Sequence, residues 1–123
     1  MIEGEVNAAY EPVVTVAVQG PSGQTSEFEA VVDTGFTGFL TVTPALATEL
    51  GLDLRGASRA TLADGSEVTF LQYGVSVLWD GRPRYIEADA ADVTPLIGMR
   101  LLDRHSLNID VEAGGRVLIQ AKA

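Results

Sequence analysis

A carboxylate follows directly on an apolar strand in Val31-Val32-Asp33-Thr34-Gly35-Phe36-Thr37-Gly38-Phe39-Leu40, within a turn rich in glycine. Turns of this kind carry chemistry when a rigid scaffold positions them. An aspartate before a glycine is ordinarily a turn former, because Asp hydrogen-bonds its own backbone and Gly accepts positive φ. That reading fits Asp64-Gly65 and Asp80-Gly81. Asp33 differs, since apolar residues flank its turn on both sides and predict a carboxylate beside a core. An ionised group there is costly unless other groups compensate. A carboxylate placed there is a candidate general acid or base.

Other chemistries find less support. The chain has no cysteine, which excludes disulfides, thiolate zinc sites and a cysteine nucleophile together. His105 is the only histidine, placed between Arg104 and Ser106 at the end of a short helical-looking stretch, Met99 to Ser106. Its expected role is solvated or capping, since the helix dipole favours His near a helix end. No serine sits in a Gly-x-Ser-x-Gly elbow, and the 17 acidic residues form no calcium-loop pattern. Neither a metal nor a cofactor is expected.

The elements that must position Asp33 are mostly strands. Val13–Val18 and Thr25–Val32, joined by Gly20-Pro21-Ser22-Gly23, read as a hairpin with one apolar face, and its second strand delivers Asp33 to the turn. Phe39–Val42 leaves the turn as another strand. Pro44–Gly51 reads as a short helix, with Thr43 as cap, Pro44 in the first turn and Gly51 as terminator; Leu46 and Leu50 face the core. Ala60–Phe70 folds back at Asp64-Gly65 and Val75–Ile86 at Asp80-Gly81, Asp-Gly being a strong hairpin signal. Trp79 and Tyr85 are expected as cross-strand partners. Glu87–Pro95 reads as a solvated acidic connection, and Leu107–Ile119 as a last hairpin. Together these predict a mainly β, closed or nearly closed barrel-like lobe with one or two short helices.

Composition sets the outer limits. A chain of 123 residues, 46% apolar, can build one core as a single domain spanning 1–123. A net charge of −9, with pI near 4.3 and no basic run, argues against nucleic acid and anionic membranes as partners. The acidic start Met1–Glu5 lacks the character of a secretory signal, and no apolar run reaches membrane-spanning length, so the expected location is the cytoplasm.

The hydrophobic-hydrophobic-Asp33-Thr34-Gly35-Phe36 stretch, followed late in the chain by Leu96-Ile97-Gly98, resembles the clan AA aspartic proteases, specifically the retropepsin-like prokaryotic group. The resemblance covers roughly residues 10–120 and implies the acid protease fold in its single-lobe form. It further implies an aspartic endopeptidase that works only as a symmetric homodimer, because one lobe carries one Asp-Thr-Gly. In that arrangement Asp33 of each subunit forms the dyad. Thr34 points its hydroxyl across the axis, and Gly35 donates an N–H to the carboxylate. The Ala63-Asp64-Gly65-Ser66 tip becomes a flap over an extended polypeptide substrate, and Phe36 and Ile97 line apolar side-chain pockets.

Departures from the retroviral pattern are specific. The small residue usual after Asp-Thr-Gly, the Asp that follows it, and the Arg directly after the late Gly are replaced by Phe36, Thr37 and Met99, with Arg100 one position later. The ion pair that braces the retroviral dimer is therefore absent from those places. By the same resemblance, Met1–Ala9 and Val117–Ala123 are candidates for an intersubunit sheet. The competing expectation is a pepsin-like lobe kept as a non-catalytic binding or dimerisation module.

Overall fold

The computed structural model describes residues 1–123, which form ten strands and one short helix. β2 (Pro12–Gln19) and β3 (Thr25–Val32) pair antiparallel, with Val13 opposite Val31 and Gln19 opposite Thr25. Their alternation is that of a half-buried sheet: Val14, Val16, Val18, Ala30 and Val32 are buried, while Glu27 and Glu29 face water. After the Asp33 turn come β4 (Leu40–Val42) and α1 (Pro44–Glu49). Thr43 caps α1 by accepting the Leu46 N–H on its hydroxyl, and Gly51, at φ +59°, turns the chain out of it.

β5 (Asp53–Thr61) and β6 (Glu67–Trp79) form a long hairpin, and β6 turns at Asp80-Gly81 into β7 (Arg82–Ala90). Asp80 and Gly81 both have positive φ, as a two-residue hairpin turn requires. β8 (Leu96–Ile97) lies between β3, parallel, and β4, antiparallel. β4 in turn pairs with β7 in parallel, and β6 pairs with β2. The order β6-β7-β4-β8-β3-β2 thus closes on itself. Outside the ring lie β5 on one side and, on the other, β1 (Ile2–Val6), β10 (Arg116–Ala121) and β9 (His105–Ile109) in that order. A contiguous apolar core fills the structure, with Leu40, Ile97, Leu101, Val77 and Val117 wholly inaccessible. Each such side chain stabilises the fold by about 1.5–3 kcal/mol relative to exposure. The only helix has six residues, so no helix is long and apolar enough to cross a membrane.

Four local expectations are corrected. Met99–Ser106 forms successive turns and no helix, with Leu101 N–H to Gly98 O at 3.2 Å and His105 N–H to Leu102 O at 2.9 Å. Arg104, at φ +65°, then reverses the chain into β9, where pairing with β10 takes over. Glu87–Ala90 belongs to β7, because parallel pairing with β4 buries Ala88 opposite Leu40 and leaves Glu87 outside. Tyr85 stands opposite Ser76, and Trp79 opposite Arg82. Trp79 finds its aromatic partner in His105, ring centroids 5.8 Å apart at an edge-on 73°. Finally, the terminal strands are paired within the chain. β1 runs along β10 and through Glu5 and Val6 meets β2, while β10 lies between β1 and β9.

Candidate active site

Two segments far apart in sequence are laced together around Asp33. β3 brings the aspartate to the end of the sheet, where its N–H donates to Ile97 O at 2.9 Å. From there the 33–39 turn is held by the segment after β8. Gly98 N–H donates to Phe39 O at 2.9 Å, Met99 N–H to Phe36 O at 2.8 Å, and Arg100 N–H to Gly38 O at 3.1 Å. Val31 N–H to Pro95 O, at 2.9 Å, extends the same ladder back along β3. The backbone polar groups that a turn would otherwise leave to water are thereby satisfied internally, which fixes its shape.

Glycine is required where these segments cross. A Cβ on Gly98 would lie 2.1 Å from Gly38 O and 2.6 Å from a ring carbon of Phe36, and one on Gly38 would lie 2.5 Å from the same ring. Phe36 is half-buried, its ring laid against both glycines as a brace. Thr41, the one buried polar side chain, supplies a further tie by accepting the Leu96 N–H on Oγ1 at 2.8 Å. Sequence reasoning passed over Thr41 and Leu96. A threonine between two apolar strand residues was the available signal.

The carboxylate itself is half-buried and fixed at one oxygen, Oδ1, by the Gly35 N–H at 2.9 Å. The Phe36 N–H donates to Asp33 O at 3.1 Å, closing the tight turn. No cation comes within salt-bridge distance of Asp33. Thr34 and Gly35 are exposed, and the Thr34 hydroxyl has no hydrogen-bond partner in the chain. One chain therefore presents a single oriented carboxylate at an open surface, and none of the main surface depressions is lined by it. No group of three or more His, Asp or Glu side chains is disposed to hold a metal ion.

The other candidate residues divide. Ala63, Asp64, Gly65 and Ser66 form the exposed tip of the β5–β6 hairpin. Beyond Gln72, whose pair is Asp89, β6 has no strand neighbour but β5, so the hairpin from Ala57 to Leu71 projects as a two-stranded arm. A side-chain bond from Gln72 Nε2 to Asp89 Oδ1, at 3.0 Å, ties its base to β7. At the tip Asp64 accepts from the Ser66 hydroxyl at 2.6 Å and from the Ser66 N–H at 2.9 Å. These bonds, the hydroxyl first, hold the Asp64 carboxyl below its ordinary range. Ile97 is corrected as a pocket residue. It is 0% exposed, because strand alternation turns it into the core, and half-buried Leu96 is the accessible member of the pair.

In overall fold the chain is similar to EIAV protease, solved in complex with the inhibitor HBY-793, at 19% identity and a TM-score of 0.59, covering 78% of this chain and 88% of that one. It is similar also to a retropepsin-like aspartic protease from Rickettsia conorii, at 20% identity and a TM-score of 0.60, covering 99% of this chain and 91% of that one. No protein-family model and no curated protein matches the chain. The fold is retropepsin-like.

Proposed function

We propose that this retropepsin-like chain is an aspartic endopeptidase whose active unit is a symmetric homodimer, 1–123 forming one lobe of each half. The observation that carries the reading is the half-site: one carboxylate, oriented by the Gly35 N–H on a braced turn, with Thr34 and Gly35 left exposed beside it. A twofold axis beside Thr34 brings a second Asp33 to the first. Two carboxylates so close repel one another unless a proton lies between them, so the pair shares one. The ionised member takes a proton from a water as that water attacks the peptide carbonyl carbon. The protonated member donates a hydrogen bond to the carbonyl oxygen, and the resulting tetrahedral species collapses as the amine leaves with a proton. Thr34 reaches across to the partner's backbone, and the Ala63–Ser66 arm closes over an extended substrate strand. Phe36 serves as the brace of the turn, and Leu96 replaces Ile97 as an apolar contact. The absence of cysteine suits a reducing compartment such as the cytoplasm.

One observation favours a second reading. β1 and β10 are already paired within the chain, which leaves only the outer side of β1 at Ile2–Gly4 and the free edge of β9 to pair with a second copy. A lobe that fails to dimerise is a non-catalytic binding module. Cleavage of a diverse peptide library by wild type and by Asp33→Asn, with dimer content recorded by sedimentation, separates the two. Cuts made by wild type and missing from the variant support the protease. A well-formed dimer that makes no cuts supports the module.

A further inference from the structure

Five of the chain's eight Lys and Arg side chains, together with its only histidine, lie on one face. They line three depressions of about 450–590 Å³ that run into one another, sharing Arg84, Asp103 and His105. Arg82, Arg100, Arg104 and Lys122 are exposed, and none of the five cations has a carboxylate within 4.0 Å. In a chain with 17 acids, scattered cations would find partners; here they are segregated against their own repulsion. Arg104, at φ +65°, lines one of the three depressions with Lys122.

The floor is apolar as well as cationic. Arg84 stands 5.6 Å over the Phe39 ring, and Met99 beside it is 47% exposed. We propose that this face docks an acidic polypeptide segment carrying apolar side chains between its carboxylates. Carboxylates meet the exposed guanidinium groups of Arg82, Arg100 and Arg104, while Arg84 is held by Leu101 O at 3.3 Å over Phe39, and apolar side chains lie against Met99. A polyphosphate fits less well, because it has no apolar groups to cover exposed Met99 and would set a continuous run of negative charge against Asp80 and Asp103. The Met99 and Arg100 N–H groups bind the back of the 33–39 turn, so the docked segment lies next to the candidate active site. Docking is independent of whether Asp33 cleaves.

The test is fluorescence anisotropy of a short fluorescein-labelled peptide of alternating Glu and Leu, titrated with wild type and with Asp33→Asn at low and moderate salt. Binding by both proteins, weakening as salt rises, is expected. The combined variant Arg82→Gln, Arg100→Gln, Arg104→Gly is expected to bind about tenfold more weakly. It should stay folded, because glycine suits the φ at position 104. The control variant Arg55→Gln, Arg116→Gln removes charge from β5 and the start of β10, outside the residues that line this face, and should bind like wild type. No binding at low salt, equal loss in the control variant, or tighter binding of a charge-matched oligothymidylate would overturn the proposal.

Discussion

Gly98→Ala tests whether the candidate active site depends on the crossing of its two segments. The new Cβ would sit 2.1 Å from Gly38 O and 2.6 Å from Phe36. Gly38 O cannot simply rotate aside, because it already accepts the Arg100 N–H at 3.1 Å. Forcing a methyl group into a packed crossing costs about 1–3 kcal/mol. Losing the accompanying backbone hydrogen bond adds about 0.5–1.5 kcal/mol. The expected destabilisation is therefore about 1.5–4.5 kcal/mol, a fall in Tm on the order of 10 °C for a chain of this size. Urea unfolding followed by circular dichroism measures it. Gly56→Ala is the control: no atom lies within 4 Å of its new Cβ, and its φ is ordinary, so it should stay within about 0.5 kcal/mol of wild type. Adding Phe36→Ala to Gly98→Ala relieves the ring contact but not the carbonyl contact, so it should not restore stability. A Gly98→Ala protein as stable as the Gly56→Ala control would refute the account of the crossing.

Asp33→Asn keeps an oxygen for the Gly35 N–H and should leave the fold intact while abolishing cleavage; retained activity would rule out a carboxylate dyad. If the active unit is a dimer, specific activity rises with protein concentration until association saturates, and a flat response across a monomeric range, seen by sedimentation, counts against it. Ser66→Ala should raise the Asp64 pKa toward the ordinary carboxylate range, read by NMR titration, because the Ser66 hydroxyl is the first cause of its depression. A depressed native pKa contributes stability that is present above the unfolded value and lost as pH falls through the native one, so the variant should show less loss of stability on acidification. His105→Ala strips the acceptor from the buried Trp79 indole N–H, bonded to Nε2 at 3.2 Å, and should cost about 1–3 kcal/mol. An unchanged urea midpoint, followed by the fluorescence of this single tryptophan, would contradict that bond.

Much of the scaffold was legible in the sequence because its signals are local. The alternation in Val13–Val18 and Thr25–Val32, the capped helix behind Thr43 and the Asp-Gly turns each specify their own structure within a few residues. What failed depended on distant partners. Glu87–Ala90 resembles an acidic loop until β4 lies alongside it, although Ile86 and Ala88 do alternate with the acids. Met99–Ser106 has helical composition, but its first two N–H groups, of Met99 and Arg100, are drawn to the 33–39 turn, and Arg104 reverses the chain before a helix can extend. At the site, the Asp33 motif stood out from its apolar flanks. The burial of Ile97 and the tie from Thr41 follow from β8 lying between β3 and β4, which no local pattern encodes.

The lacing of the Asp33 turn by Gly98, Met99 and Arg100 also sets a schedule for biosynthesis. A chain emerging from the ribosome exposes Asp33 early, yet the residues that shape its turn emerge only after β7 and β8. β1 likewise waits for β10, which is made after all the other strands. A nascent chain that has not yet reached Arg100 therefore lacks the contacts that order the Asp33 turn, and the candidate site takes shape only once β8 and the segment after it have been made.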